Sequence, residues 1–251
     1  MSRILSFVYG VVNYVVFLGV FLYAIAFVGD FWVPKTIDSG DPTGAFWPSL
    51  LINAGLLGLF AVQHSGMARQ GFKDWWTNIV PEPIERSTYV LFTNVVLILL
   101  FWQWRPLTDV VWQVGAGWGQ YVLWGLFGLG WALVLVATFM ISHAHLFGLK
   151  QVHEHMQGEE LSAPDFQITG LYRYVRHPLN LGFIIAFWAT PHMTVGHLVF
   201  ALATTGYIFI AMVLEERDLV AQFGEQYRRY RERVPMIVPG LQRTSTPQEQ
   251  T

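Results

Sequence analysis

Residues 169–178 have the sequence TGLYRYVRHP, and two apolar runs, 179–190 and 195–214, follow them. Pro191 separates the two runs, and the acidic pair 215–216 comes directly after the second one. This pattern predicts a helical hairpin with charged and ring-bearing groups at both ends. Because such groups are costly beside apolar helices in a membrane, they indicate a functional site.

The composition is typical of an integral membrane protein. Of the 251 residues, 53% are hydrophobic and only 13% are charged, whereas soluble domains carry about a quarter charged residues. The chain contains no cysteine, which excludes disulfides, zinc–thiolate sites and a cysteine nucleophile. We predict one all-α membrane domain over residues 1–240, a disordered polar tail over 241–251, lipids as neighbours and no nucleic-acid partner.

Six apolar runs are candidates for transmembrane segments: 4–28, 46–62, 88–104, 120–141, 179–190 and 195–214. The run 179–190 is short, because as a helix it reaches only about 18 Å across a hydrocarbon core of about 30 Å. The basic residues favour a crossing there, since it puts all but two of the 15 lysines and arginines on one side. We therefore predict about six spans with both termini in the cytoplasm, and leave open whether 179–190 spans completely.

A further helix is predicted after the hairpin. Leu219, Phe223, Tyr227 and Tyr230 recur at helical spacing, while the nearby arginines lie largely on other faces. A basic amphipathic segment of this kind is typical of a helix that lies on lipid headgroups. We therefore predict a C-terminal amphipathic helix on the cytoplasmic membrane surface.

Polar residues flank the hairpin, and its fold predicts that they meet at one face. They are Tyr172, Arg176, His177, Asn180, Glu215 and Glu216. Each one alone is explained by helix capping or by anchoring at the membrane surface. Together they would form a polar mouth on an apolar cavity, where the carboxylates would suit a bound cation that an aromatic ring also contacts.

His64, His143 and His145 fall at predicted cytoplasmic helix ends. Interfacial anchoring, proton handling near a substrate, and haem or metal ligation all remain open for them. Since His143 and His145 are two residues apart and point to different helix faces, we predict no metal site. The His-Glu-His tract at 153–155 is predicted to be a solvated loop.

Three glycines, Gly125, Gly128 and Gly130, resemble part of a nucleotide-binding pattern. No predicted strand precedes them, and they lie inside an apolar run. This setting favours close packing between helices.

The C-terminal part of the chain carries a set of motifs: Gly170 with Tyr172, Arg176-His177-Pro178, Glu215-Glu216, Phe223-Gly224 with Tyr227, and Val234-Pro235. The set resembles the isoprenylcysteine carboxyl methyltransferase superfamily, which includes nurim-like and nitrite-reduction-associated membrane proteins. The resemblance implies an S-adenosylmethionine site, mainly within residues 143–230, on the cytoplasmic side of the bacterial inner membrane. The cofactor-binding residues that it implies are Gln151, Asp165, Phe166, Gln167, Tyr172, Arg176, His177, Asn180, Glu215 and Glu216.

Two departures from the superfamily bear on the acceptor. Ala211 occupies the position where prenylcysteine enzymes have an arginine for the substrate carboxylate, and residues 179–180 replace the usual serine and tyrosine. A small uncharged acceptor therefore fits better. With the segments 63–67 and 146–151, the whole chain most resembles the bacterial enzymes that methylate methanethiol to dimethyl sulfide. A larger thiol or lipid acceptor, and a non-enzymatic relative that binds haem or quinone, are the alternatives.

The chemistry of methyl transfer to a thiol agrees with an apolar site. A positive sulfonium and a negative thiolate lose their charges as they react, so a water-poor pocket favours the transition state over the separated ions. An ordinary thiol is mostly protonated at pH 7, and a base is needed. We predict His145, then His143, then Tyr172 as candidates, since histidine titrates near neutrality.

Overall fold

The computed structural model describes residues 2–40, 45–162 and 166–238. Five of the helices in this part of the chain are long and apolar enough to cross a membrane, which confirms the predicted all-α membrane fold. A 3₁₀ turn covers Gly170–Arg173, and two short strands are β1 (Val110–Gln113) and β2 (His192–Thr194). The α-helices are α1 (Arg3–Gly29), α2 (Phe46–Ala68), α3 (Gln70–Trp76), α4 (Glu82–Gln103), α5 (Trp118–Ile141), α6 (His143–Leu146), α7 (Leu149–Gln157), α8 (Pro178–Trp188), α9 (Val195–Phe223) and α10 (Glu225–Arg233).

The short helix α8 connects the two ends of the bundle. It starts just after Arg176, which bonds to Glu216 near the end of α9, and it leads to β2, which pairs antiparallel with β1 between α4 and α5. From Glu216 to Val195, α9 is about 32 Å long, which matches a hydrocarbon core of about 30 Å. The 11 residues of α8 cover about 16 Å of that height. The terminal hairpin therefore has a short member that is helical over only part of the bundle.

The two ends of the bundle are named here by their structure. The strand end comprises residues 30–40, 104–117 and 189–194, with the β1–β2 pair, and the polar end comprises residues 69–82, 142–162, 166–177 and 215–238. The β1–β2 pairing was not predicted from the sequence. Lys35 and Arg105, the two basic residues that the sequence placed apart from the others, lie at the strand end.

The contact between α5 and α8 is the tightest helix packing around the hairpin. A Cβ atom on Gly182 would lie 2.7 Å from the carbonyl oxygen of Gly130, so both positions require glycine for this approach. The predicted packing role is confirmed for Gly130. Gly125 and Gly128 face open space instead.

The predicted amphipathic helix α10 is present, and its aromatic face packs on the protein. The buried rings of Tyr227 and Tyr230 pack against Phe166 and Phe223 of the same chain. Its periodicity therefore reflects packing on the protein. The arginines of α10 lie on its exposed side.

The predicted solvated loop at 153–155 belongs instead to helix α7, which corrects the prediction. Glu154 is buried there, and its carboxylate accepts hydrogen bonds from the amide and the hydroxyl of Ser162, at 3.1 Å and 2.6 Å. The two histidines of the tract do not join it in a cluster of metal ligands in the described part of the chain. The predicted disordered tail, 241–251, lies outside the described residues.

Candidate active site

The start of α8 fixes the residues around the polar end. Pro178 occupies the first helical position, where no intrahelical donor is needed. The backbone amides of Arg176 and His177 donate instead to the carbonyl oxygens of Pro235 and Met236, at 2.9 Å and 3.1 Å. The segment after α10 is thereby held against the entrance of the hairpin.

Glu216 is the centre of a buried charged cluster. Its carboxylate lies 2.6 Å from Nε of Arg176, 3.2 Å from Nε2 of His177 and 3.1 Å from Nε of Arg231. Its side chain is 3% exposed, so each of these contacts is shielded from water. Arg176 also donates to the carbonyl oxygens of Arg231 and Val234. These contacts occupy Glu216 and make it a positioning group for His177 and Arg176.

Glu215, the next residue, is in a different situation. Its side chain is 53% exposed, and its nearest basic group is Nδ1 of His177, at 3.7 Å. Burial and then the charge of Glu215 raise the pKa of Tyr172. Glu215 therefore offers a half-exposed negative charge at the polar end.

Gln151 supplies an unused acceptor at the same end of the bundle. Its amide nitrogen lies 3.2 Å from the carbonyl oxygen of His145 and 3.3 Å from Nδ1 of that ring. Its Oε1 is buried and has no hydrogen-bond partner among the described residues. Because an unpaired buried carbonyl is unfavourable, this atom indicates a site for a ligand that donates hydrogen bonds.

The two predicted histidine bases are not brought together. Ser142, with φ of 142°, separates α5 from α6, and His143 and His145 lie two residues apart in α6 with different hydrogen-bond partners. His143 has both ring nitrogens at 2.8 Å from hydroxyls, those of Thr138 and Tyr14. Burial, together with the positive charges of Arg86 and Lys150, lowers the pKa of His145, so that this ring is neutral at pH 7.

Comparisons with known proteins place this arrangement in a family. The family model described as NnrU protein matches residues 51–239. A methanethiol S-methyltransferase of Mycobacterium tuberculosis is 55% identical over 241 residues, which cover 95% of this chain and 98% of that protein. This chain belongs to the NnrU family.

Other relatives of this NnrU-family chain agree with the resemblance predicted from its motifs. Methanethiol S-methyltransferase 1 of Bradyrhizobium diazoefficiens is 53% identical over 237 residues, covering 94% of this chain and 83% of that protein. Nurim of Mus musculus is 32% identical over 172 residues, covering 65% of each chain. No solved structure matches the chain. The predicted superfamily is thereby confirmed.

The remaining predicted cofactor-binding residues follow Gln151 in the sequence and lie in different surroundings. Phe166 packs with the rings of α10 and lines a surface groove of about 490 Å³ together with Ile168 and Tyr230. Gln167 is exposed, and Asn180 lies in the first turn of α8. Asp165 lies outside the described residues.

Sequence reasoning missed a polar cluster between α2 and α4. It consists of Gln63, His64, Tyr89 and Thr93, and the Tyr89 hydroxyl lies 2.9 Å from Nδ1 of His64. Next to it, Ser65 bonds to the Tyr207 hydroxyl of α9 at 3.1 Å. The signal was the run of polar residues at 63–65 at the end of an apolar segment. The sequence left proton handling open for His64 but did not predict its contacts with Tyr89 and Thr93 of α4.

Proposed function

We propose that this protein transfers a methyl group from S-adenosylmethionine to methanethiol and thereby forms dimethyl sulfide. The observation that carries the proposal is the 55% identity to a methanethiol S-methyltransferase over nearly the full length of both chains. The free carboxylate of Glu215 and the unpaired Oε1 of Gln151 support it from the structure. Ala211, where prenylcysteine enzymes carry an arginine, supports an acceptor without a carboxylate.

The polar end fits the methyl donor. S-adenosylmethionine, when bound, supplies a methyl group on a positively charged sulfur, and its ammonium group donates hydrogen bonds. Gln151, Tyr172 and Glu215 would hold it, since they offer an amide oxygen, a ring and a carboxylate. His177 would be oriented by Glu216. The other predicted residues of this site are Asp165, Phe166, Gln167, Arg176 and Asn180.

The residues around this site can exclude water and handle a proton. Apolar helices border the polar end, and the lowered dielectric there makes separated charges less stable than they are in water. Methanethiol must lose its proton. The three bases predicted from the sequence, His145, then His143 and then Tyr172, stay proposals.

We place the polar end in the cytoplasm, with the protein in the inner membrane. The lysines and arginines support this orientation, since all of those in the described residues except Lys35 and Arg105 fall on that side. A donor made in the cytoplasm would then reach Glu215 directly. A volatile apolar thiol would reach the site from the lipid.

The test is headspace detection of dimethyl sulfide from detergent-purified protein that is given S-adenosylmethionine and methanethiol. Protein with Glu215→Gln serves as the control, and we expect product from the unchanged protein alone at a limiting donor concentration. Absence of product with intact donor binding would move the acceptor to a larger thiol or a lipid. Absence of both product and donor binding would favour a non-enzymatic protein.

A further inference from the structure

The polar cluster of Gln63, His64, Tyr89 and Thr93 surrounds its histidine ring with hydroxyls. The Thr93 hydroxyl donates to the backbone carbonyl of Tyr89 at 3.0 Å and lies 3.3 Å from Nδ1 of His64. The Tyr89 hydroxyl lies 2.9 Å from Nδ1 and 3.0 Å from Nε2 of the same ring. Each nitrogen of the His64 ring therefore has a hydroxyl within hydrogen-bond distance.

His145 has a different environment. The amide nitrogen of Gln151 lies 3.3 Å from its Nδ1 and donates to the His145 carbonyl oxygen at 3.2 Å. The His64 ring thus has hydroxyl partners that can relay a proton, which the His145 ring lacks among the described residues.

The cluster borders the proposed donor site. Ser65, next to His64, bonds to Tyr207 of α9, and one turn further along α2 the guanidinium of Arg69 lies 2.8 Å from the carboxylate of Asp218. These contacts fix α2 against the part of α9 that carries Glu215.

Two further features suit a small thiol. Oε1 of Gln63 is buried and has no partner in the described part of the chain, so it can accept a hydrogen bond from an S–H group. The guanidinium of Arg86 lies 4.9 Å from the centre of the Tyr89 ring, and its positive charge favours a thiolate beside it. The cluster thus offers an acceptor to the neutral thiol and a positive charge to the thiolate.

We propose that His64 is the catalytic residue that takes the proton of the acceptor thiol, with Tyr89 and Thr93 as positioning residues. The inference rests on the proposed function. The S–H bond breaks, the proton goes to an imidazole nitrogen of His64, and the electron pair stays on sulfur. The thiol sulfur then bonds to the methyl carbon as that carbon's bond to the sulfonium sulfur breaks, which leaves two neutral thioethers. His64 finally releases its proton to water.

A pH profile of dimethyl sulfide formation tests the role. We expect His64→Gln to lower kcat about 100-fold near pH 7, with a loss that shrinks as the pH rises and the free thiol ionises by itself. Thr93→Val, which keeps the imidazole but removes the hydroxyl beside its Nδ1, should give a smaller loss with the same pH dependence. The strand-end control His192→Gln should keep the profile of the unchanged protein. A pH-independent loss in His64→Gln, or no loss at all, would overturn the proposal.

A second readout does not depend on turnover. The methyl carbon of ¹³C-labelled methanethiol has different NMR shifts in the thiol and the thiolate, so its ionisation can be followed in protein without methyl donor. We expect bound thiolate at pH 7 with the unchanged protein and with His192→Gln, and bound neutral thiol with His64→Gln. A neutral bound thiol in the unchanged protein, no bound thiol at all, or thiolate in His64→Gln would each contradict the role. If the unchanged protein makes no dimethyl sulfide, the proposed function fails; if it does and His64→Gln matches it, only this inference fails.

Discussion

The strand end and the polar end close the same helix bundle in different ways. At the strand end, backbone and neutral groups satisfy one another: β1 pairs with β2, Asn53 exchanges two hydrogen bonds with the backbone of Arg105, at 2.7 Å and 2.8 Å, and Trp104 donates to the carbonyl of Ile37. At the polar end, charged side chains form the corresponding contacts. Within the described residues, Gln151 Oε1 has no partner there, and the half-exposed carboxylate of Glu215 has only the 3.7 Å contact with His177.

The difference shows how helix α9 can both stabilise the polar end and offer a group that binds a ligand. Glu215 and Glu216 are adjacent in α9, yet a helical step of about 100° turns one toward the buried arginines and the other toward open space. Glu216 stabilises the junction of α8, α9 and α10. Glu215 is left free to bind a cation.

The largest expected effect concerns the support of the polar end. Glu216→Gln removes the charge that compensates Arg176 and leaves that guanidinium without its buried carboxylate. Removal of one partner from a buried ion pair costs about 3–5 kcal/mol. We expect a loss of this size in the free energy of unfolding, measured by denaturant titration in detergent. Glu225→Gln, whose pairs with Arg228 and Arg229 are exposed, should cost less than about 1 kcal/mol. Equal stabilities for the two variants would contradict the account of the cluster.

The second prediction concerns the short helix that joins the two ends. Gly182→Ala places a methyl group 2.7 Å from the Gly130 carbonyl oxygen and 2.8 Å from the Val134 amide nitrogen, so α8 must move away from α5. We expect a loss of about 1–3 kcal/mol in unfolding free energy. Gly128 lies in α5, the helix that α8 contacts, but it faces open space. Gly128→Ala should therefore leave the unfolding free energy unchanged or raise it by up to about 1 kcal/mol. A stable Gly182→Ala protein would show that the close approach is not needed.

The third prediction tests the strand end through its pH dependence. Burial raises the pKa of Asp38 to about 6, and a hydrogen bond from the Thr194 hydroxyl opposes this only in part. Because the folded pKa is higher than that of the unfolded chain, Asp38 contributes stability below about pH 4 that is lost as the pH rises through about 6. Asp38→Asn should therefore raise the unfolding free energy by about 1–3 kcal/mol at pH 7 and leave it nearly unchanged at pH 4. The same gain at both pH values would refute a titrating Asp38.

The sequence predicted the helices better than their ends. Long apolar runs and the asymmetry of basic residues were enough for the hairpin, because hydrophobic length and charge act locally. The β1–β2 pair joins two short segments that are 80 residues apart and have no strand pattern of their own. The face that α10 buries was also beyond prediction, since periodicity shows that a face is apolar but not whether lipid or Phe166 covers it.

The candidate site was predicted in its residue types but not in its roles. Motif position brought Glu215 and Glu216 together, and only the fold shows that one is occupied and the other free. For the histidines, the hydrogen-bond partners decide which nitrogen holds the proton, and those partners come from other helices. Tyr14 and Thr138 engage His143, whereas Thr93 and Tyr89 engage His64.

The measurement that tests the central comparison most directly is calorimetric titration of S-adenosylmethionine into the unchanged protein, Glu215→Gln and Asp38→Asn. Loss of a charge-assisted contact costs about 1.5–3 kcal/mol, so Glu215→Gln should weaken donor binding about 10- to 100-fold. Asp38→Asn, at the strand end, should leave the affinity unchanged. Equal affinities for the unchanged protein and Glu215→Gln would contradict the claim that the polar end binds the donor through its free carboxylate.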